Sequence, residues 1–236
     1  MFPVAILAGG LATRLGFTAD RIPKSLIDIN DEPFIIHQLN LLRDQKIGRV
    51  IICIGHLGDM ISELLGDGRN YGLQIEYSSD SAELLGTAGA LKKAIPLLGE
   101  TFFVLYGDSY LNCDYQAVQE TFEDSRKLAL MTVLRNENRW DASNVEYCNK
   151  KIIQYDKKRC KPSMAHIDYG LGVFKRAAFE NVQRDEPSDL ATLYQHLIIK
   201  GELAAFEVVE RFYEIGSIEG IEETRRYLSR RQPKRG

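Results

Sequence analysis

Small residues and two cations near the N-terminus carry the first chemical signal. The run Leu7-Ala8-Gly9-Gly10-Leu11-Ala12-Thr13-Arg14-Leu15 is followed by Ile22-Pro23-Lys24-Ser25-Leu26. Paired glycines after an apolar run let backbone N–H groups come close to phosphate oxygens. Arg14 and Lys24 add positive charge at the same end. Phosphoryl chemistry needs this combination, because the charge of a polyphosphate and of its leaving group must be balanced. Two other phosphate-binding patterns do not apply. A P-loop needs Gly-Lys-Ser/Thr after its glycines, and a dinucleotide fingerprint needs G-x-G-x-x-G, whereas these glycines are adjacent. The plain competing reading is a Gly-Gly turn with surface cations.

Further strings add carboxylates and small residues. Leu105-Tyr106-Gly107-Asp108-Ser109 places an acid directly after an apolar run. Asp108 there is well placed to hold Mg²⁺ against phosphate oxygens, since that ion favours one or two carboxylates plus phosphates and water. Phe212-Tyr213-Glu214-Ile215-Gly216 is a second acidic strand end, and Gln154-Tyr155-Asp156-Lys157-Lys158 follows a third apolar run. Leu84-Leu85-Gly86-Thr87-Ala88-Gly89 opens a helical pattern, with Thr87 as its expected N-cap. Gly170 lies inside a strand pattern, Ile167 to Phe174, where a glycine allows close ligand approach. Taken singly, these strings also read as an Asp in a turn, a surface Glu, a charged hairpin end and a loop entering a helix.

The elements that must position these residues alternate in the first half. Apolar runs at Phe2–Leu7, Val50–Ile54, Leu73–Tyr77 and Phe102–Tyr106 read as strands. Between them, Phe34–Leu42, Met60–Leu65 and Ala88–Ile95 read as helices, the last stopped by Pro96. Tyr115–Phe122 is a further helix and Leu128–Leu134 a further strand. Continuous apolar strands separated by helices predict a mainly parallel sheet covered on both faces. Ligands on such sheets sit beyond the carboxyl ends of the strands. Gly9-Gly10, Gly55 and Gly107 mark three of those ends and should line one crevice. The second half reads as a hairpin around Asn149, the strand at Ile167–Phe174, a helix from Asp189 to Lys200 with an acidic N-cap, a short strand at Phe212–Ile215 and a final helix at Ile218–Leu228.

With 236 residues, the chain suits one domain, 1–236, with no linker or repeat. A net charge of -3 gives no general pull toward nucleic acid. The C-terminal cations Arg225, Arg226, Arg230, Arg231, Lys234 and Arg235 suit the solvated end of a helix and a frayed tail. Cys53, Cys113, Cys148 and Cys160 show neither C-x-x-C spacing nor a nearby histidine pattern, which predicts reduced structural thiols. The absence of a basic leader and of a long apolar stretch predicts a cytoplasmic protein outside the membrane.

The first string resembles the signature of the sugar-1-phosphate nucleotidyltransferases, L-A-G-G-x-G-T-R-L followed by P-K. The chain departs from it at Ala12, where glycine is common, and in a short spacer to Lys24. The other strings resemble that family's L-G-T-A-G-A-L, G-D, acidic-Lys, glycine-bearing strand and W-x-D-I-G-T segments, in the same order, from residue 3 to about residue 222. The resemblance implies a single Rossmann-like α/β domain with a mixed, mainly parallel sheet flanked by helices. Residues 1–110 would form a nucleotide-binding half and 111–230 a sugar-phosphate half. It further implies Arg14 and Lys24 as catalytic cations. Leu7, Ala8, Gly9, Gly10, Thr13, Gly86 and Thr87 would meet the nucleotide. Asp108 and Glu214 would be Mg²⁺ ligands, with Glu214 standing where the family has aspartate. Asp156 would hold a sugar hydroxyl, Lys157 the sugar phosphate, and Gly170 would pass close to the sugar. Asp168 stands where asparagine is frequent.

The reaction so implied is an in-line attack by a substrate phosphate oxygen on the α-phosphorus of a nucleoside triphosphate. A phosphate monoester, with a second pKa of about 6, is largely dianionic near neutral pH, so no general base is required. His37, His56, His166 and His196 are scattered and read as structural or peripheral; His56 follows a strand end. The L-G-T-A-G-A-L string leans toward GTP with a mannose- or heptose-type 1-phosphate. The competing readings are a cytidylyltransferase acting on phosphocholine or another non-sugar phosphate, and a sensor that binds a nucleotide sugar without turnover. A homodimer is compatible with all three.

Overall fold

The computed structural model describes residues 1–9, 22–80, 85–183 and 186–231. Its first half alternates strands and helices: β1 (Val4–Leu7), α1 (Phe34–Asp44), β2 (Arg49–Ile54), α2 (Gly58–Leu65), β3 (Gln74–Ser79), α3 (Gly86–Leu98) and β4 (Thr101–Tyr106). A two-residue strand β5 (Ser109–Tyr110) and helix α4 (Tyr115–Ser125) follow. The second half contains β6 (Ala129–Arg135), β7 (Val145–Cys148), β8 (Lys151–Tyr155), β9 (His166–Lys175), α5 (Leu190–Ile199), β10 (Leu203–Val208), β11 (Tyr213–Glu214) and α6 (Ile218–Arg231).

The continuous apolar runs are explained by burial on both faces. In β2, Val50, Ile52 and Ile54 face one core layer, while Ile51 and Cys53 face the other. Strand β4 divides in the same way, with Phe103 and Leu105 opposite Phe102 and Val104. The period of two along a strand produces this division. Helices α1, α2 and α4 cover the first layer through residues such as Leu39, Ile61 and Val118. Helices α3 and α5 cover the second through Leu91, Ile95, Leu193 and Tyr194. Each fully buried Leu, Ile or Phe contributes roughly 1.5–3 kcal/mol, so these two layers supply most of the stabilisation.

The main sheet runs in the order β10-β6-β9-β4-β1-β2-β3. The pairs β4–β1, β1–β2, β2–β3 and β10–β6 are parallel. Strand β9 is inserted antiparallel between β4 and β6, so one sheet runs through both halves of the chain. The hairpin β7–β8 turns at Asn149 and Lys150, whose φ angles of 49° and 61° suit the twist of a two-residue connection. Asp189 caps α5 by accepting the Ala191 N–H, as its position predicts.

Two expectations change, and two strands had not been expected. Helix α3 passes through Pro96 and ends at Leu98, because a proline in the last turn removes only one internal bond. Thr87 is not its N-cap: the helix begins two residues earlier, at Gly86, with Leu85 at the capping position. Strand β5 is too short to leave a pattern, and β10 was passed over although Leu203, Ala204, Ala205, Phe206 and Val208 make it apolar on both faces.

Candidate active site

The strand ends named above do meet. A Cβ on Gly55 would lie 2.9 Å from the Gly9 carbonyl oxygen, so the β1 and β2 ends approach at a distance that only glycine allows. Gly107 donates its N–H to the Leu7 carbonyl at 3.0 Å, joining the β4 end to them. Leu7, Gly9, Gly86 and Thr87 line one small cavity of about 130 Å³ together with Cys53, Asp80 and Ala90. Ala8 donates to the Cys53 carbonyl and lies against Gly107. Asp80 carries a carboxyl raised by burial, an effect opposed by the Leu85 N–H it accepts and by the Lys93 charge. The Thr87 hydroxyl accepts the Leu190 N–H at 2.8 Å and donates to Asp189 at 3.1 Å, tying α3 to α5. Gly10, Thr13 and Arg14 lie outside the described residues.

The chain leaves β4 through Gly107 and presents Asp108. Lys24 Nζ stands 2.7 Å from Asp108 Oδ2, and the Ser109 hydroxyl donates to Asp108 Oδ1 at 3.2 Å. Strand β11 pairs antiparallel with β5, setting Glu214 opposite Ser109. Ile215 donates its N–H to the Asp108 carbonyl at 2.9 Å. Two carboxylates remote in sequence are thereby held side by side at one sheet end. Glu214 Oε2 accepts the Gly216 N–H at 3.1 Å. Burial raises the Glu214 carboxyl above its ordinary range and the Asp108 charge adds to this; Lys24 and the Gly216 N–H pull it back. Its anionic form thus lacks full compensation, which is the condition in which a cation binds well.

A larger cavity of about 800 Å³ opens beside this pair, with Tyr106, Asp108, Lys157, Asp168, Gly170 and Glu214 in its wall. Gly170 has φ +101°, a conformation that favours glycine. Asp156 does not line it. That carboxylate accepts the N–H groups of Lys158 and Arg159, which hold it below the usual carboxylate range. Asp156 therefore shapes the turn after β8, while the neighbouring Lys157 reaches the cavity wall. None of the four histidines lines either cavity. His56 and His196 are exposed, His37 pairs with the Ile29 carbonyl, and His166 pairs with Glu207.

Sequence reasoning passed over Gln38. It is 2% exposed on the buried face of α1 and donates to the carbonyls of Tyr106 and Ser109 at 2.9 and 2.8 Å. It braces the segment that carries Asp108. A polar side chain among Ile35, Leu39 and Leu42 was the available signal. Arg211 was also missed; it lies over the rings of Trp140 and Tyr213 at the cavity wall and pairs with Glu223.

The family profile described as nucleotidyl transferase matches residues 4–213. The chain belongs to this family. A relative within it, the N-acetylmuramate alpha-1-phosphate uridylyltransferase of Neisseria meningitidis serogroup B, is 38% identical over 117 residues, 49% of this chain and 51% of that protein. The chain thus spans about half the length of that relative. A second, the D-glycero-alpha-D-manno-heptose 1-phosphate guanylyltransferase of Campylobacter jejuni, is 27% identical over 89% of this chain and 93% of its own. Among solved structures, HddC from Yersinia pseudotuberculosis, complexed with GMP-PN, superposes with a TM-score of 0.80 at 23% identity, covering 97% of this chain and all of that one. At that identity the likeness bears on the fold, which is the family's α/β arrangement. Among the described residues, no helix of this family member is long and apolar enough to cross a membrane.

Proposed function

We propose that this chain transfers a nucleotidyl group from a nucleoside triphosphate to a sugar 1-phosphate, giving a nucleotide sugar and pyrophosphate. The observation that carries this reading is the meeting of Lys24, Asp108 and Glu214 beyond the end of β4, with both carboxylates in the wall of the larger polar cavity. A phosphate oxygen of the sugar phosphate forms the new bond to the α-phosphorus. The bond from that phosphorus to the β-phosphate bridging oxygen breaks, and pyrophosphate leaves with the electron pair. The attacking phosphate is already anionic, so no proton has to be removed by the protein. What remains is alignment and charge neutralisation. Arg14 and Lys24 would balance the triphosphate, Lys157 would orient the attacking phosphate, and Gly170 would admit the sugar close to β9.

Asp108 and Glu214 would hold Mg²⁺. The fit rests on their chemistry: two hard oxygen donors side by side, one raised by burial and by repulsion from the other. The ion would supply neutralisation of the phosphate charge. Asp156 would act through the turn it caps.

For the nucleotide, the reading leans to GTP with a mannose- or heptose-type 1-phosphate. The guanylyltransferase relative aligned over nearly its whole length supports it. Asp80 in the small cavity supports it as well. A carboxylate accepts from the adjacent N–H donors of guanine, whereas uracil and thymine flank one N–H with two carbonyl oxygens. The phosphocholine alternative needs open aromatic faces for a quaternary ammonium. In the larger cavity the faces of Tyr106 and Trp140 already carry Lys157 and Arg211. The test is a panel of nucleoside triphosphates, sugar 1-phosphates and phosphocholine with Mg²⁺, read by pyrophosphate release. Release with a sugar 1-phosphate is expected; binding of nucleotide without release under every pairing would sink the proposal.

A further inference from the structure

We propose that Asp168 is a positioning residue for Lys157, holding its ammonium at the cavity wall where the substrate phosphate arrives. This rests on the proposed function and extends it to a residue with no place in the reaction so far described. Asp168 lies on β9 with its side chain 5% exposed. Three bonds fix it. Its Oδ1 accepts the Gly170 N–H at 3.0 Å, its Oδ2 accepts the Tyr155 hydroxyl at 2.9 Å, and its own N–H donates to Asn144 Oδ1 at 2.9 Å. The local bend of β9 makes the first bond available: the register against β6 shifts between Met131 and Val133, opposite this stretch.

A carboxylate this deeply buried needs a counter-charge. Among the described residues, Lys157 is the cation within ion-pair distance, its Nζ 3.8 Å from Asp168 Oδ2. The same ammonium lies 5.2 Å from the Tyr106 ring centroid and 5.9 Å from that of Tyr155. Asp168 therefore draws the ammonium inward over two aromatic faces, while the lysine side chain stays 44% exposed toward the cavity. At 3.8 Å the pair is electrostatic without a hydrogen bond, which leaves the ammonium N–H donors to a phosphate. A lysine stem otherwise carries rotamer entropy that a bound phosphate would have to offset. A fixed neighbouring carboxylate pre-pays part of that ordering. Asparagine in this position would keep the shape and lose the charge.

The experiment is a kinetic double-mutant cycle of Asp168→Asn and Lys157→Met, using the substrate pair the wild type turns over best. Asp168→Asn is expected to raise KM for the sugar phosphate roughly tenfold and leave KM for the nucleoside triphosphate within about twofold. In the Lys157→Met background the same change should move the sugar-phosphate KM less than about twofold, because its route of action is gone. Tyr155→Phe, which deletes one bond that fixes Asp168, should act in the same direction but more weakly, and serves if Asp168→Asn does not fold. Unchanged sugar-phosphate KM in the single variants, equal losses for both substrates, or additive effects in the cycle would each overturn the assignment while leaving the proposed function standing. A wild type inactive across the whole panel would overturn both.

Discussion

Lys24 Nζ stands 2.7 Å from Asp108 Oδ2, although 84 positions separate the two residues. The pair is partly exposed, at 20% and 32%, so it adds little to stability by itself. Its place beside Glu214, with Asp108 in the wall of the larger cavity, gives it meaning. Lys24→Met and Asp108→Ala should each lower pyrophosphate release by about 10²-fold or more, in line with the loss of one group that balances developing charge. Thermal midpoints should move little. Full activity in Asp108→Ala would remove that residue from the mechanism.

Glu214 is expected to make the site sensitive to pH. Its carboxyl is raised by burial and by Asp108, and Lys24 lowers it. A raised folded-state value means that the folded protein binds this proton more tightly than the unfolded chain. Between the ordinary glutamate value and the raised one, stability falls as pH rises. The ionised form that would hold a cation is correspondingly lost as pH falls through the raised value. Activity should therefore decline on the acid side, and Lys24→Met should move that limb to higher pH. A pH–rate profile of any residual activity reads this; an unmoved limb would assign it to another group.

Mg²⁺ binding should relieve the same electrostatic cost. Adding Mg²⁺ should raise the thermal midpoint of the wild type, since a ligand bound by the folded state stabilises it. The increase should vanish in Glu214→Gln and in Asp108→Asn. Glu214→Gln itself should be neutral or stabilising without metal, because the uncompensated charge is gone. A full Mg²⁺ shift in both variants would sink the ligand assignment.

Gln38 should act at a distance from the chemistry. Gln38→Leu leaves the Tyr106 and Ser109 carbonyls without their donor. An unpaired buried polar group costs about 1–3 kcal/mol. Both the denaturation midpoint and pyrophosphate release should drop, the second because Asp108 lies between the two braced carbonyls. A stable variant with full activity would show that the brace is dispensable.

Asp80 supplies a test of nucleotide choice. Asp80→Asn exchanges a pure acceptor for a group that also donates. Preference for GTP over UTP, measured as a ratio of kcat/KM, should fall by about tenfold, within the 1–3 kcal/mol that one base-reading contact carries. An unchanged ratio would place base recognition elsewhere.

Much of the architecture was legible in the sequence. Val50–Ile54 and Phe102–Tyr106 could be read as strands buried on both faces, because a run apolar at every position has no solvent side. The acidic cap of α5 and the hairpin at Asn149 were likewise local matters of backbone conformation and hydrogen bonding. So was the meeting of Gly9, Gly55 and Gly107, since parallel strands end on the same side. Tertiary structure alone decided which acids face which cavity. Asp156 and Asp168 look alike in sequence, yet one caps a turn and the other is buried against Lys157. Glu214 reaches Asp108 only through the pairing of two-residue strands, β5 and β11, too short to leave a periodic pattern. Strand end and charge are properties of neighbours in the chain. The partner of a charge is set by register and long-range pairing, which depend on the whole sheet.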